Sequence, residues 1–178
     1  MDPLDDVDGG GISIEPDPVG AAIQVAGAFA RAAVGRRDAV LEALAVVSED
    51  TLPEEQVTAE ASLAVVALYL SLAAVKRYGA LTGAAAPIME SVLDPLLEDL
   101  DHMRDTVMHW EGKAERSPGS ALVVDTNGIF IVAGHKRKGP QRLAAIRWKE
   151  FEDSASRVQR WARFMLEHPE EWAAEATP

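Results

Sequence analysis

The fifteen residues 61–75, between Glu60 and Lys76, carry no charge. Ala, Leu and Val dominate the run, so a helix drawn through it is apolar on every side and has no solvated face. Crossing a bilayer takes about 20 predominantly apolar residues, and this run falls short. It is therefore expected to be the buried centre of a helical bundle or an oligomer interface. Pro53-Glu54-Glu55 supplies an acidic first turn that suits the helix dipole, with Lys76 and Arg77 in the last turn and Gly79 and Gly83 ending it. The spacing predicts a helix over about 53–79.

A central apolar helix needs partners, and the flanking sequence offers them. Asp17-Pro18 is a strong helix start, an N-cap acid followed by proline at the first turn. From there Val19, Ile23, Ala26, Ala30, Val34, Val40, Leu41, Leu44 and Val47 keep a helical period. Residues 19–30 are uncharged and rich in Ala and Gly, which permits close helix approach. Gly35-Arg36-Arg37 is expected to kink this helix, since a helical glycine costs about 1 kcal/mol relative to alanine. Residues 1–17 hold six acids, three consecutive glycines and two prolines, and read as disordered.

Residues 90–111 gather most of the chemistry-bearing side chains. Leu93, Leu96, Leu97, Leu100, Met103, Val107 and Met108 form one broad apolar face. Pro95 either kinks this helix or follows a new N-cap at Asp94. Asp101, Asp105 and His109 stand at i, i+4 and i+8 and line up on the polar face. Arg104 and His109 lie about 140° apart around the axis, so only the long arginine stem could bring its head to that face.

The string Arg104-Asp105-Thr106-Val107-Met108-His109-Trp110-Glu111 resembles the R-x(4–6)-H motif of HEPN-domain proteins, in the variant where a polar residue follows the arginine and an aromatic and an acid follow the histidine. The resemblance is strong over residues 98–111, loose over the surrounding helices and absent from 115–149. It implies an all-helical fold and a metal-independent ribonuclease of toxin or defence systems, working as a homodimer with two motifs at one cleft. It further implies Arg104 and His109 as catalytic residues, Asp105 in support, and an antitoxin protein as a partner. The competing expectation is a non-catalytic helical binding or oligomerisation protein, in which Arg104 and His109 are surface residues.

After Ser117-Pro118-Gly119-Ser120 the period changes. Residues 121–125, apolar up to Asp125, and 129–133 are runs rich in β-branched residues flanking Thr126-Asn127-Gly128, and Asn-Gly there is the strongest hairpin signal in the chain. A third strand is expected over Arg142–Trp148. The last helix, about 149–167, carries Phe151, Ala155, Val158, Trp161, Ala162, Met165 and Leu166 as its apolar stripe, and a loose acidic tail is expected from 169 to 178.

The net charge of −12 argues against broad affinity for nucleic acid. Yet nine of the 17 cations lie between residues 136 and 163, and residues 135–149 contain no acid. Lys136, Arg137, Lys138 and Arg142 are candidate phosphate contacts for RNA, with Trp148 available to stack on a base. The bland reading of the same stretch is a solvated loop and strand edge.

The chain has no cysteine, which excludes disulfides, thiolate metal sites and thiol nucleophiles. Asp99-x-x-His102 imitates half of a di-metal bundle site, but the neighbouring helices offer no matching acids and histidine, so neither metal nor cofactor is expected. No P-loop, dinucleotide fingerprint or G-x-S-x-G elbow occurs. The acidic start lacks the basic and apolar regions of a signal peptide, and the expected location is cytoplasmic, with no membrane association. These readings combine into one mainly α domain over 18–168. It is a bundle of four long helices with a small antiparallel β-hairpin or meander, about 121–148, inserted before the last.

Overall fold

Asp17 starts the first helix in the computed structural model as its chemistry requires. Its two carboxylate oxygens accept the backbone N–H groups of Val19 and Gly20, each at 3.0 Å, with Pro18 at the first helical position. The structure describes residues 17–46, 54–83, 94–108, 120–135 and 139–170. The disorder expected before Asp17 lies outside them, as does most of the loose tail. The order is α1 (Pro18–Val46), α2 (Glu54–Thr82), α3 (Asp94–Met108), β1 (Ser120–Val124), β2 (Gly128–His135), β3 (Gly139–Arg147) and α4 (Trp148–Glu167). Among the described residues, four helices with a three-stranded antiparallel sheet before the last make up the expected architecture.

The small-residue helix packs against both α2 and α4. The Ser71 hydroxyl of α2 donates to the Ala26 carbonyl at 2.9 Å, and Arg36 pairs with Glu60, so α1 and α2 run antiparallel. Arg37 pairs with Glu152 and the Gln159 amide donates to the Ala30 carbonyl, so α1 and α4 also run antiparallel. Consecutive arginines about 100° apart thus reach different neighbours. Gly27 sets the depth of this packing: a Cβ there would stand 3.0 Å from the Ala162 Cβ. Gly35, in contrast, borders open space, and α1 is helical without a break through it.

The second helix runs past its expected end. Gly79 is helical, and the terminus comes at Gly83, whose φ of +70° suits glycine and whose N–H closes on the Gly79 carbonyl at 2.9 Å. Both α1 and α2 are long and apolar enough to cross a membrane by length and composition, and about half of each apolar window is buried inside this fold (44% and 50%). For the third helix the start is Asp94, with Pro95 in the first turn rather than at an internal kink. Its inward residues Leu100 and Met103 are fully buried.

In the sheet, β2 pairs antiparallel with β1 and with β3. Ile129, Ile131, Ala144 and Ile146 enter the main core beside Leu68, Leu72 and Phe151. The hairpin closes differently from the Asn-Gly expectation. Asp125 and Gly128 close it, with Thr126-Asn127 as the central pair, and neither Asn127 nor Gly128 has positive φ. The Asp125 carboxylate accepts the N–H groups of Asn127 and Gly128 at 2.7 and 3.0 Å, an Asx-type closure. Gly128 is required for space instead, since a Cβ would lie 2.2 Å from the Ile146 carbonyl oxygen across the ladder. The third strand ends at Arg147, and Trp148 begins α4, where the Glu150 carboxylate accepts the Arg147 N–H at 3.2 Å.

Candidate functional site

Arg104 follows the buried Met103 on α3, at the border between the face that packs and the face that is wet. Its side chain does not extend into solvent. The guanidinium carbon stands 4.3 Å from the centroid of the Tyr69 ring on α2. Nε and Nη2 both donate to Asp105 Oδ1, and Nη2 also reaches Asp101 Oδ1 at 2.9 Å. Arg104 is 28% exposed, Asp105 35% and Asp101 57%, so the cluster is a half-buried ridge rather than a closed pocket.

Hydrogen bonding to Asp105 raises the Arg104 pKa above its ordinary value; burial acts in the opposite sense, and Tyr69 and the two carboxylates add to the rise. The guanidinium is therefore a permanent cation. Among the described residues no acceptor is bonded to Nη1, which leaves two N–H donors for an incoming oxyanion.

The bend of Arg104 resolves the angular problem posed by the sequence. Its head is carried onto the stripe of α3 that holds Asp101 and Asp105. His109 itself lies outside the described residues, as do Trp110, Lys136, Arg137 and Lys138. Arg142 stands on β3 opposite Val132, and α3 packs against β1 and β3, so a strand within the basic region adjoins the helix bearing Arg104.

Trp148 is placed where it cannot stack on a base. It is 5% exposed, its ring meets Phe151 edge-on at 5.8 Å, and its indole N–H donates to the Asp125 carbonyl at 2.8 Å. The side chain locks the hairpin to the start of α4. The expectation of a stacking platform is corrected on this point, because a large ring with its only donor satisfied gains more from the core than from water.

Tyr69 enters this cluster with no motif in the sequence to mark it. The available signal was its phenol, one of only three polar side chains in the uncharged run 61–75, the others being Ser62 and Ser71. Among the described residues no three Asp, Glu or His side chains gather as a metal site. A separate groove of about 450 Å³ lies between α1 and α4, lined by Gln24, Gly27, Arg31, Gln159, Arg163 and Glu167 among others, and Arg104 takes no part in it. Comparison with protein-family models, with curated proteins and with solved structures finds no match to this chain.

Proposed function

We propose that the chain is a metal-independent endoribonuclease of HEPN type, with Arg104, Asp105 and His109 as its working residues. The observation that carries this reading is the Arg104 side chain bent onto the Asp101–Asp105 stripe, a spacing of four that in the sequence leads on to His109. In this mechanism His109 acts as general acid or base on the ribose 2′-hydroxyl or the leaving oxygen, a contribution of about 10²–10⁴-fold. Arg104 stabilises charge on the phosphate oxygens through Nη1, and Asp105 holds the guanidinium in place from its other edge. The neighbouring β3 and the basic residues Lys136, Arg137, Lys138 and Arg142 would bind flanking phosphates. A toxin or defence setting, with an antitoxin as partner, is the context that the resemblance supplies.

The test is cleavage of a labelled mixed RNA pool by the purified protein in EDTA, with wild type, Arg104→Ala and His109→Ala in parallel. Cleavage by the wild type and its loss in both variants supports the proposal. Equal cleavage by all three sinks it.

A second reading, a non-catalytic helical assembly protein, is favoured by a different observation. The outward side of α2 exposes Leu63, Leu70 and Leu81 to solvent. On this reading Arg104 ties α3 to α2, and substitutions of Arg104 and His109 leave assembly intact.

A further inference from the structure

One of the two apolar faces of α2 has no partner among the described residues. Ala61, Ala64, Val65, Leu68, Leu72 and Val75 are fully buried against the rest of the fold. The opposite stripe runs Ala59, Leu63, Val66, Leu70, Ala73 and Arg77, at alternating steps of four and three. Leu63 is 48% and Leu70 36% exposed, and Val66 and Ala73 are half-buried. A strict four-three repeat is the seam along which two helices pack at a shallow angle of about 20°.

We propose that this stripe is the docking face for a second copy of the chain, with the two α2 helices antiparallel about a twofold axis at the level of residue 68. In that register Leu63 meets the partner's Ala73, Val66 meets the partner's Leu70, and Ala59 meets the partner's Arg77. Large side chains then face small ones in the outer layers, which lets the helices approach.

Charge selects the orientation. Glu54 and Glu55 stand at one end of α2 and Lys76 and Arg77 near the other. Glu55, Lys76 and Arg77 have no ion pair with any described residue, whereas Glu60 is taken by Arg36. Antiparallel docking brings the partner's Arg77 within one helical turn of Glu55. Parallel docking would set like charges against like. A second copy suits the stripe better than a lipid bilayer does, because half of the apolar window of α2 is already buried against the rest of the fold, which leaves a single stripe to cover rather than a helix apolar to lipid on every side. The proposal stands whether or not the ribonuclease reading holds.

The absence of cysteine makes the register directly testable. Ala59→Cys and Arg77→Cys, introduced singly into the full chain, are mixed and air-oxidised. The expected product is a disulfide between the two different variants. Neither variant alone should link to itself, because equivalent positions would be roughly 27 Å apart along the axis. A self-linked Ala59→Cys dimer would mean parallel docking and overturn the proposal.

Sedimentation equilibrium supplies the second arm. Wild type is expected as a dimer, and Leu63→Glu with Leu70→Glu as a monomer of unchanged helical circular dichroism, its dissociation constant raised at least about a hundredfold. A monomeric wild type, a double variant that stays dimeric, or wild type that floats with phosphatidylcholine vesicles while the double variant does not, would each overturn it.

Discussion

The Arg104 guanidinium lies over the ring of Tyr69, its carbon 4.3 Å from the ring centroid, and this contact joins α3 to α2. One cation thus serves two elements: its face meets the ring, and one edge is held by Asp105 and Asp101 on its own helix.

The first prediction concerns that contact. In a double-mutant cycle of Arg104→Met and Tyr69→Leu followed by urea unfolding, the coupling energy should be about 0.5–1 kcal/mol, the range for a partly exposed cation–π pair. Tyr69→Phe keeps the ring and should retain most of it. Zero coupling would mean that the stacked geometry is not populated in solution.

The pH dependence follows from the raised Arg104 pKa, caused first by its hydrogen bond to Asp105. A cation whose folded pKa exceeds its unfolded value stabilises the fold fully below the unfolded value, and the benefit fades only as pH rises through the folded one. Both lie in strong alkali for an arginine. The stability difference between wild type and Arg104→Met, attributed to arginine ionisation, should therefore be flat between about pH 6 and pH 9. Urea midpoints across that range provide the check. A difference that falls steadily over the range would show that another group titrates within the cluster.

Gly128→Ala should destabilise the sheet without any change of turn type. The added Cβ would sit 2.2 Å from the Ile146 carbonyl oxygen, which is backbone and cannot swing away. Overpacking of this kind costs about 1–3 kcal/mol, readable as a shift of the thermal midpoint. Asn127→Ala should cost less, since the hydrogen bonds that close the turn come from the Asp125 side chain and the backbone.

Trp148→Phe separates a structural role from an RNA-binding one. Losing the N–H that reaches the Asp125 carbonyl should lower stability by about 1–2 kcal/mol. RNA affinity, measured by fluorescence anisotropy at fixed salt, should be unchanged because the ring is buried. A variant of normal stability and weakened RNA binding would reverse this assignment.

Asp105→Asn tests the support given to Arg104. The amide oxygen can still accept both N–H groups, but as neutral rather than charge-assisted hydrogen bonds, so the guanidinium is held less firmly. On the ribonuclease reading, cleavage should fall by about 10-fold or more, while His109→Ala should abolish most of it. Full activity in Asp105→Asn would confine the carboxylate to a structural role.

Sequence alone determined the element types. Helices follow from the 3.6-residue period in α1, α3 and α4 and from the uncharged run in α2, and strands from the β-branched pairs around residue 127. The cap was legible where one side chain does the capping, as Asp17 does at the start of α1. Tertiary structure decided whatever depends on a neighbour from elsewhere in the chain. Gly128 looked like a turn glycine and is a clearance glycine, because the Ile146 carbonyl comes from a strand that no local pattern places beside it. Trp148 looked available and is core, because the Asp125 carbonyl meets it only once the hairpin folds against α4. Arg104 and position 109 are angularly apart in any bare helix. The arginine bends because two acids on its own helix and a ring on α2 draw it over, and only packing supplies that ring.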